Sequence, residues 1–342
     1  PRTHGMTLKI LECLSNLDHR GAKFADGTGD GAGVLTEIPF ELIEAEIAER
    51  GIVRDKDSSL ALISCFFDPK NVTESMELID SKLEEFDIEL LYWRKVPTDK
   101  EILGTMAKKS KPGIYQAIIC SRKEYKYKFE KYLYLFRKSL ETDLAKNEFL
   151  NIHINSCSSK TVVYKGLFTA TQTADFYWDL RNPLYKTRYG IFHQRFSTNT
   201  TSSWDKAQPL RMLAHNGEIN TIRANYSWMK AREVDASSNL WKEDIDTLKP
   251  FIDENLSDSG QLDNAIELLV QSGRKLAHAQ EMLIPSAWEN NPRFTKDQQS
   301  YYQYHAFLTE PWDGPAAIVA TDGKDIIAGL DRSGLRPLRW MI

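Results

Sequence analysis

The chain of 342 residues carries a formal net charge of -4, with 44 lysines and arginines against 48 aspartates and glutamates. This balance lacks the excess of basic residues that suits a nucleic acid or an anionic membrane as partner, so we expect neither. No apolar run approaches the roughly 18 to 20 residues of a membrane span, and the first residues do not resemble a signal peptide, so we expect a cytoplasmic protein.

The first predicted helix has its apolar face at 6–17. Gly21 follows as a natural C-terminal capping position, so the helix is expected to stop there. A glycine-rich loop follows at 26–33. Its spacing fits no phosphate-binding motif, so it either turns the chain into a strand or lines a site, and the role of Asp30 within it stays open. Pro39 then opens a short helix.

The pattern between 59 and 150 indicates a compact α+β module, which we expect to be inserted into one domain that spans 1–342. The predicted strands are 60–67, 89–96 and 114–120, and the predicted helices are 73–86, 99–110 and 123–146. In the last helix the aromatic residues share the apolar face, while Arg137 and Lys138 face solvent. This arrangement favours a solvated amphipathic helix over a nucleic-acid surface.

Two strands at 152–158 and 161–165 form a predicted hairpin. The four cysteines are scattered, and most lie inside apolar helix or strand patterns, which favours buried reduced thiols over disulfides or a metal site. We therefore predict no metal. The cysteines are Cys13, Cys65, Cys120 and Cys157.

The stretch 190–232 combines a strand, a polar loop, a second strand and a helix. Arg195 ends the first apolar run, and the loop after it is denser in hydroxyl and amide groups than a turn needs. The second strand ends in Asn216 and Gly217, which can direct two hydrogen-bond donors to one point. A further helix follows at Asp258, which has the spacing of a helix N-cap. The last predicted elements are helices at 275–284 and 299–308 and a strand hairpin at 316–321 and 326–330.

Four of these residues together match the groups of an α-amino acid whose side-chain carbonyl is attacked. Arg195 suits a carboxylate, Asp258 an ammonium, and Asn216 with the Gly217 N–H a developing oxyanion. Each residue also has a structural explanation, as an ion pair, a helix cap or a turn. The residues alone leave both interpretations open.

Six segments in order across nearly the whole chain resemble the signature segments of the glutamine amidotransferase domain of the glutamate synthase large subunit. They are HRGAKFADGTGDGAGV, RFSTNTTSSWDKAQP, LAHNGEINTIRANYSWMKARE, SDSGQLDNAIELL, EPWDGPAAIVATDG and LDRSGLRPLRW. The resemblance implies an α+β fold, the αββα sandwich of N-terminal-nucleophile hydrolases, with two mainly antiparallel sheets between helical layers. It also implies an enzyme, a class II glutaminase that hydrolyses L-glutamine to glutamate and ammonia.

The resemblance also implies roles for individual residues. Asn216 and the Gly217 N–H form the oxyanion hole, Arg195 binds the α-carboxylate of glutamine and Asp258 its α-amino group. Further substrate-binding residues implied in the same way are Thr198 and His215.

The family's nucleophile is an N-terminal cysteine whose α-amino group shuttles the proton. Residue 1 here is Pro1, and none of the four cysteines carries a terminal amine. We therefore expect a domain that is incomplete at both termini, with its nucleophile before Pro1. As written, such a fragment would bind glutamine without turning it over.

By the same resemblance, ammonia passes to synthase domains of the same polypeptide for the reductive amination of 2-oxoglutarate. Those domains carry FMN and an iron-sulfur cluster, with ferredoxin or a small electron-donor subunit as partner, and no cofactor is expected in this chain. Two alternatives remain: a non-catalytic glutamine-binding regulatory domain, or another class II amidotransferase. The module at 59–150 and the segments LAHNGEIN and EPWDGPAA argue against the second.

Overall fold

The computed structural model describes residues 1–55, 57–122, 124–147, 150–195 and 202–341. It divides into two compact units, Pro1–Arg211 and Met212–Ile342, and each is described by itself below. None of the helices in the described ranges combines the length and the apolar character that crossing a membrane would require.

The strands pair antiparallel in all of the described sheets, which confirms the predicted α+β class with antiparallel sheets. The strands are β1 (Ala32–Glu37), β2 (Leu60–Phe67), β3 (Ile88–Lys95), β4 (Gly113–Ser121), β5 (Ile152–Ser158), β6 (Thr161–Gly166), β7 (Gly190–His193), β8 (Leu213–Gly217), β9 (Ala316–Thr321) and β10 (Ile326–Leu330). The helices are α1 (His4–Asn16), α2 (Phe40–Glu49), α3 (Val72–Glu85), α4 (Thr105–Lys109), α5 (Phe129–Lys146), α6 (Thr173–Phe176), α7 (Ile222–Val234), α8 (Asp258–Gln271), α9 (Leu276–Leu283) and α10 (Lys296–Ala306).

The first unit contains a three-stranded sheet in the order β6-β1-β7. Its middle strand β1 is buried at every position. Helix α1 packs on β7 at Gly190, where a Cβ atom would lie only 2.5 Å from the side chain of Ile10. This close approach fixes the path of β7, which leads directly to Arg195.

Helix α1 ends earlier than predicted. It stops at Asn16, and a short 3-10 turn leads to Gly21, whose φ of -79° is not the left-handed conformation of a C-terminal cap. Cys13 lies on this helix and is exposed, so the prediction of a buried thiol is wrong there. The buried face of α1 is formed by Ile10 and Leu14 instead.

A second sheet of the first unit has the order β3-β4-β2-β5, with α3 and α5 against it. Successive side chains of β2 enter two different apolar clusters, one with Leu62 and Phe66 and the other with Ile63 and Phe67. Because side chains of a strand alternate between its faces, burial on both sides explains why β2 is one continuous apolar run.

Strands β5 and β6 are not a hairpin. β5 pairs with β2, and β6 pairs with β1, so the chain crosses from one sheet to the other between them. Glu130 of α5 holds this crossing, since its carboxylate accepts hydrogen bonds from the Ser158 and Ser159 hydroxyls and from the Ser159 N–H. Side-chain contacts from another element therefore replace the ladder that a hairpin would form.

The helix predicted at 99–110 is reduced to α4, and Met106 within it is 55% exposed. The glycine-rich loop accounts for the difference. Asp26 accepts a hydrogen bond from the Met106 N–H at 2.7 Å, and Gly104 lies so close to Thr28 that a Cβ atom would meet its backbone nitrogen at 2.2 Å. These contacts from outside the segment determine where α4 begins.

Helix α5 begins at Phe129, and Arg137 and Lys138, predicted to face solvent, are only 1% and 5% exposed. Glu141 one turn later supplies the compensating charge, with an ion pair to Arg137, a longer one to Lys138 at 3.8 Å and another to Arg211 at 3.7 Å. Burial alone would raise the pKa of Glu141, but the surrounding cations lower it to about 2.

We expect Glu141→Gln to destabilise the protein above about pH 5, because the carboxylate that neutralises buried cations is lost. Since the folded pKa lies below the unfolded one, this contribution is present above the unfolded value and disappears as the pH falls towards 2. Urea unfolding of both proteins at several pH values measures the difference. Glu49→Gln, at an exposed glutamate, is the control. A stability difference that does not shrink in acid would contradict the assignment.

The second unit is built on the sheet β10-β9-β8. Strands β9 and β10 form the predicted hairpin, with Gly323 in the left-handed conformation at its turn. Helix α8 is buried at every position from Ser259 to Leu268. An almost fully buried helix beside β8 gives that strand a rigid support.

Candidate active site

Arg195 lies two residues beyond β7 in the first unit. Its Nε atom donates to Oδ2 of Asp30 at 3.1 Å, and its backbone N–H donates to Nδ1 of His193 at 3.0 Å. The Asp30 side chain is only 6% exposed, whereas that of Arg195 is 47% exposed. A guanidinium held through Nε can present its terminal nitrogens to a second anion.

The glycine-rich loop therefore supplies the partner of Arg195. Burial raises the pKa of the Asp30 carboxyl, and the hydrogen bond and the charge of Arg195 oppose that rise. The Arg195 charge stabilises the ionised form of Asp30, and this ion pair holds the guanidinium next to the loop. The sequence left the role of Asp30 open, because 165 positions separate the two residues along the chain.

Three of the predicted site residues occupy the end of β8 in the second unit. The side chains of His215 and Asn216 lie on opposite faces of the strand, and that of His215 is buried whereas that of Asn216 is exposed. Asn216 pairs with Ala317 of β9 across the sheet. The strand therefore holds the backbone of Asn216 while its amide faces outwards.

Gly217 cannot be replaced without moving the neighbouring chain. A Cβ atom at this position would lie 1.8 Å from the carbonyl oxygen of Pro315. The next residue, Glu218, donates its N–H to the same oxygen at 2.8 Å. The backbone at the end of β8 is thus fixed by close contact with the segment before β9.

Helix α8 holds β8 through polar side chains. Oδ1 of Asp263 accepts hydrogen bonds from the N–H groups of Met212 and Leu213, at 2.9 and 3.2 Å. One turn earlier, the Ser259 hydroxyl lies 2.8 Å from Nδ1 of His215. Burial lowers the pKa of His215, against an opposing effect of the nearby Asp258 charge. The lowered pKa favours the neutral imidazole, and the position of His215 favours a role in supporting β8.

Asp258 is not the N-cap of α8. That position belongs to Ser257, whose hydroxyl accepts a hydrogen bond from the Gly260 N–H at 3.2 Å. Asp258 is the first residue of the helix, and its Oδ2 accepts a hydrogen bond from the N–H of Ile219 at 2.8 Å. Its half-exposed carboxylate thus joins the helix start to the segment after Gly217.

The predicted site residues fall into both units. Arg195 belongs to the first, and His215, Asn216, Gly217 and Asp258 surround the end of β8 in the second. Thr198 lies outside the described residues.

Sequence reasoning missed Ser259 and Asp263. The available signal was their separation of four residues, which places both on one face of a helix. Within the described residues, no group of three histidine, cysteine, aspartate or glutamate side chains is placed to hold a metal ion.

Residues 1–342 match the sequence family of the class-II glutamine amidotransferases. The chain belongs to this family, which confirms the resemblance of the six segments. It is 40% identical over 345 residues to a ferredoxin-dependent glutamate synthase of Pyropia yezoensis, in an alignment that covers 99% of this chain and 22% of the relative.

Two further relatives extend the comparison. The chain is 40% identical over 346 residues to the glutamate synthase (NADPH) large chain of Bacillus subtilis strain 168, which covers 100% of this chain and 23% of the relative. It is 38% identical over 355 residues to a glutamate synthase (NADH) of Saccharomyces cerevisiae, with 100% and 16% covered. The chain thus spans about a fifth of the length of these relatives.

Proposed function

We propose that this chain is the glutaminase domain of a glutamate synthase large subunit, which hydrolyses L-glutamine to glutamate and ammonia. The observation that carries the proposal is the end of β8, where an exposed Asn216 amide precedes a glycine with no room for a side chain. Rigid donors of this kind suit an oxyanion that forms during attack on an amide. Membership of the class-II amidotransferases supports the same reaction.

In this proposal Arg195 binds the α-carboxylate of glutamine through its terminal nitrogens, with Asp30 as the group that orients it. Asp258 provides the negative charge for the α-ammonium group. His215 supports the end of β8 through its contact with Ser259, and Thr198 is assigned to substrate binding by the resemblance.

The chemical step needs a nucleophile, for which the resemblance implies an N-terminal cysteine. Its thiolate attacks the side-chain amide carbon of glutamine, and the carbonyl oxygen becomes an oxyanion at Asn216 and the Gly217 N–H. The leaving nitrogen takes a proton from the cysteine's α-ammonium group and departs as ammonia. Water then hydrolyses the thioester to glutamate.

The ammonia would be used by synthase domains that aminate 2-oxoglutarate with FMN and an iron-sulfur cluster, with ferredoxin or a small subunit as electron donor. The cysteines of this chain do not fit such a cluster, which needs several thiolates at one point. Cys13 is exposed on α1, whereas Cys65 and Cys120 are buried in β2 and β4. As the resemblance implies, we assign FMN and the cluster to other parts of the synthase.

Replacement of Arg195 by alanine is expected to weaken L-glutamine binding by about tenfold or more, because a charge-assisted contact contributes about 1.5 to 3 kcal/mol. Calorimetric titration of the chain measures the affinity, and D-glutamine tests whether the α-carbon substituents are recognised. Arg223→Ala, at an exposed arginine of α7, is the matched control. Equal affinities in the Arg195 variant and the parent would remove the assigned role.

A further inference from the structure

The first unit contains a cavity of about 710 Å³ next to β2, α4 and the segment 202–206. This volume lies within the range of about 300 to 1,000 Å³ that is usual for small-molecule sites. Neither Arg195 nor Asp30 lines it. Its charged lining residues are Lys70, Lys109, Lys111, Lys206, Asp68 and Asp205.

Lys111 is a cavity lysine whose ammonium group has no carboxylate partner among the described residues. It is half-buried, its Nζ donates to the carbonyl of Pro112 at 3.3 Å, and it lies 5.7 Å from the ring centroid of Phe176. Burial, with the charges of Lys95 and Lys100, lowers its pKa to about 8. An ammonium whose charge is opposed by burial and by other cations gains stability from a nearby anion.

The two aspartates do not supply that anion. Oδ1 of Asp68 accepts a hydrogen bond from the backbone N–H of Lys70 at 2.9 Å. Burial opposes the charge of Asp205, but the nearby His153 and Lys165 lower its pKa, and the charge of Lys165, which is not a lining residue, compensates that of Asp205. The lysines therefore leave an excess of positive charge in the cavity.

We propose that this cavity binds a small phosphorylated metabolite, with Lys111 as the central contact of the phosphate group. The described lining contains lysines and no arginine. Lysines bind phosphate as point charges, without the fixed planar geometry of an arginine fork, so several of them can converge on one tetrahedral phosphate. The remainder of the ligand would pack against the apolar lining formed by Phe66, Ile152 and Trp204.

The test is calorimetric titration of the 342-residue chain with AMP and, separately, with inorganic phosphate. We expect saturable binding of AMP that Lys111→Met weakens by about tenfold or more, because one charged contact is removed. Lys111→Arg should retain most of the affinity. Lys9→Met, at an exposed lysine of α1, should leave it unchanged.

Three results would overturn the proposal: no saturable binding of either probe, equal affinity in Lys111→Met and the parent, or tighter binding of glutarate than of AMP. If circular dichroism shows that Lys111→Met does not fold, Lys206→Met is titrated instead. The same loss of AMP affinity is then expected, and an affinity equal to that of the parent would overturn the proposal. L-glutamine titrated into the same proteins tests the glutaminase proposal separately, because glutamine affinity should not change in any of these lysine variants.

Discussion

Replacement of Asn216 by alanine is expected to lower kcat for glutamine hydrolysis by about 10²- to 10³-fold with little change in KM. The amide is exposed at the end of β8, and it would meet the glutamine oxygen fully only when that oxygen becomes negative. A donor that acts mainly in the transition state affects kcat rather than binding. Ammonia release, followed by a coupled assay in a longer form of this chain whose N-terminal residue is a cysteine, gives both constants.

Asn239→Ala is the matched control for this measurement, since Asn239 is also an exposed asparagine of the second unit. Its kinetic constants should equal those of the parent. If Asn216→Ala loses affinity and turnover to the same extent, a folding defect is the better explanation. If it keeps full turnover, Asn216 does not stabilise the oxyanion.

Replacement of Asp179 by alanine is expected to lower the free energy of unfolding by about 3 to 5 kcal/mol, as the loss of one partner from a buried ion pair usually does. Asp179 binds Arg94 through two hydrogen bonds of 2.8 and 2.9 Å, and the two side chains are 4% and 5% exposed. The Tyr164 hydroxyl donates to the same carboxylate at 2.8 Å. Without Asp179 the buried guanidinium keeps only Glu46 as an ion-pair partner among the described residues.

Urea unfolding with fluorescence detection measures this loss. Asp175→Ala provides the control, because Asp175, four positions before Asp179, forms an exposed ion pair with Arg181. An exposed pair contributes about 0 to 1 kcal/mol, so the control should stay close to the parent. Equal stability losses for the two variants would show that the Arg94–Asp179 pair contributes no more than a surface pair.

Local pattern was sufficient where an element's own residues decide its structure. The bounds of β2, β9 and β10 match the predicted ones, because each is an apolar run that ends at turn residues. The position of Asn216 and Gly217 at the end of a strand was predicted in the same way, since an amide residue and a glycine directly follow a short apolar run.

The sequence misled in two places where a polar contact decides the outcome. The pattern predicts that Arg137 and Lys138 face solvent, yet the charge of Glu141 allows their burial. Glu141 lies one helical turn from Arg137, so helical spacing could have revealed this pair. Asp258 has the spacing of a cap, but its carboxylate bonds to Ile219, 39 positions earlier in the chain, and that contact does not follow from helical periodicity.

The central proposal, that this chain is a glutaminase domain, is tested most directly by turnover of glutamine labelled with nitrogen-15 in its side-chain amide. The protein would be a longer form of this chain whose N-terminal residue is a cysteine, and the same protein with serine in place of that cysteine is the control. We predict labelled ammonia and glutamate in equal amounts from L-glutamine, and none from D-glutamine or from the serine variant. Saturable L-glutamine binding without any release of labelled ammonia would contradict the proposal and favour a regulatory glutamine-binding domain.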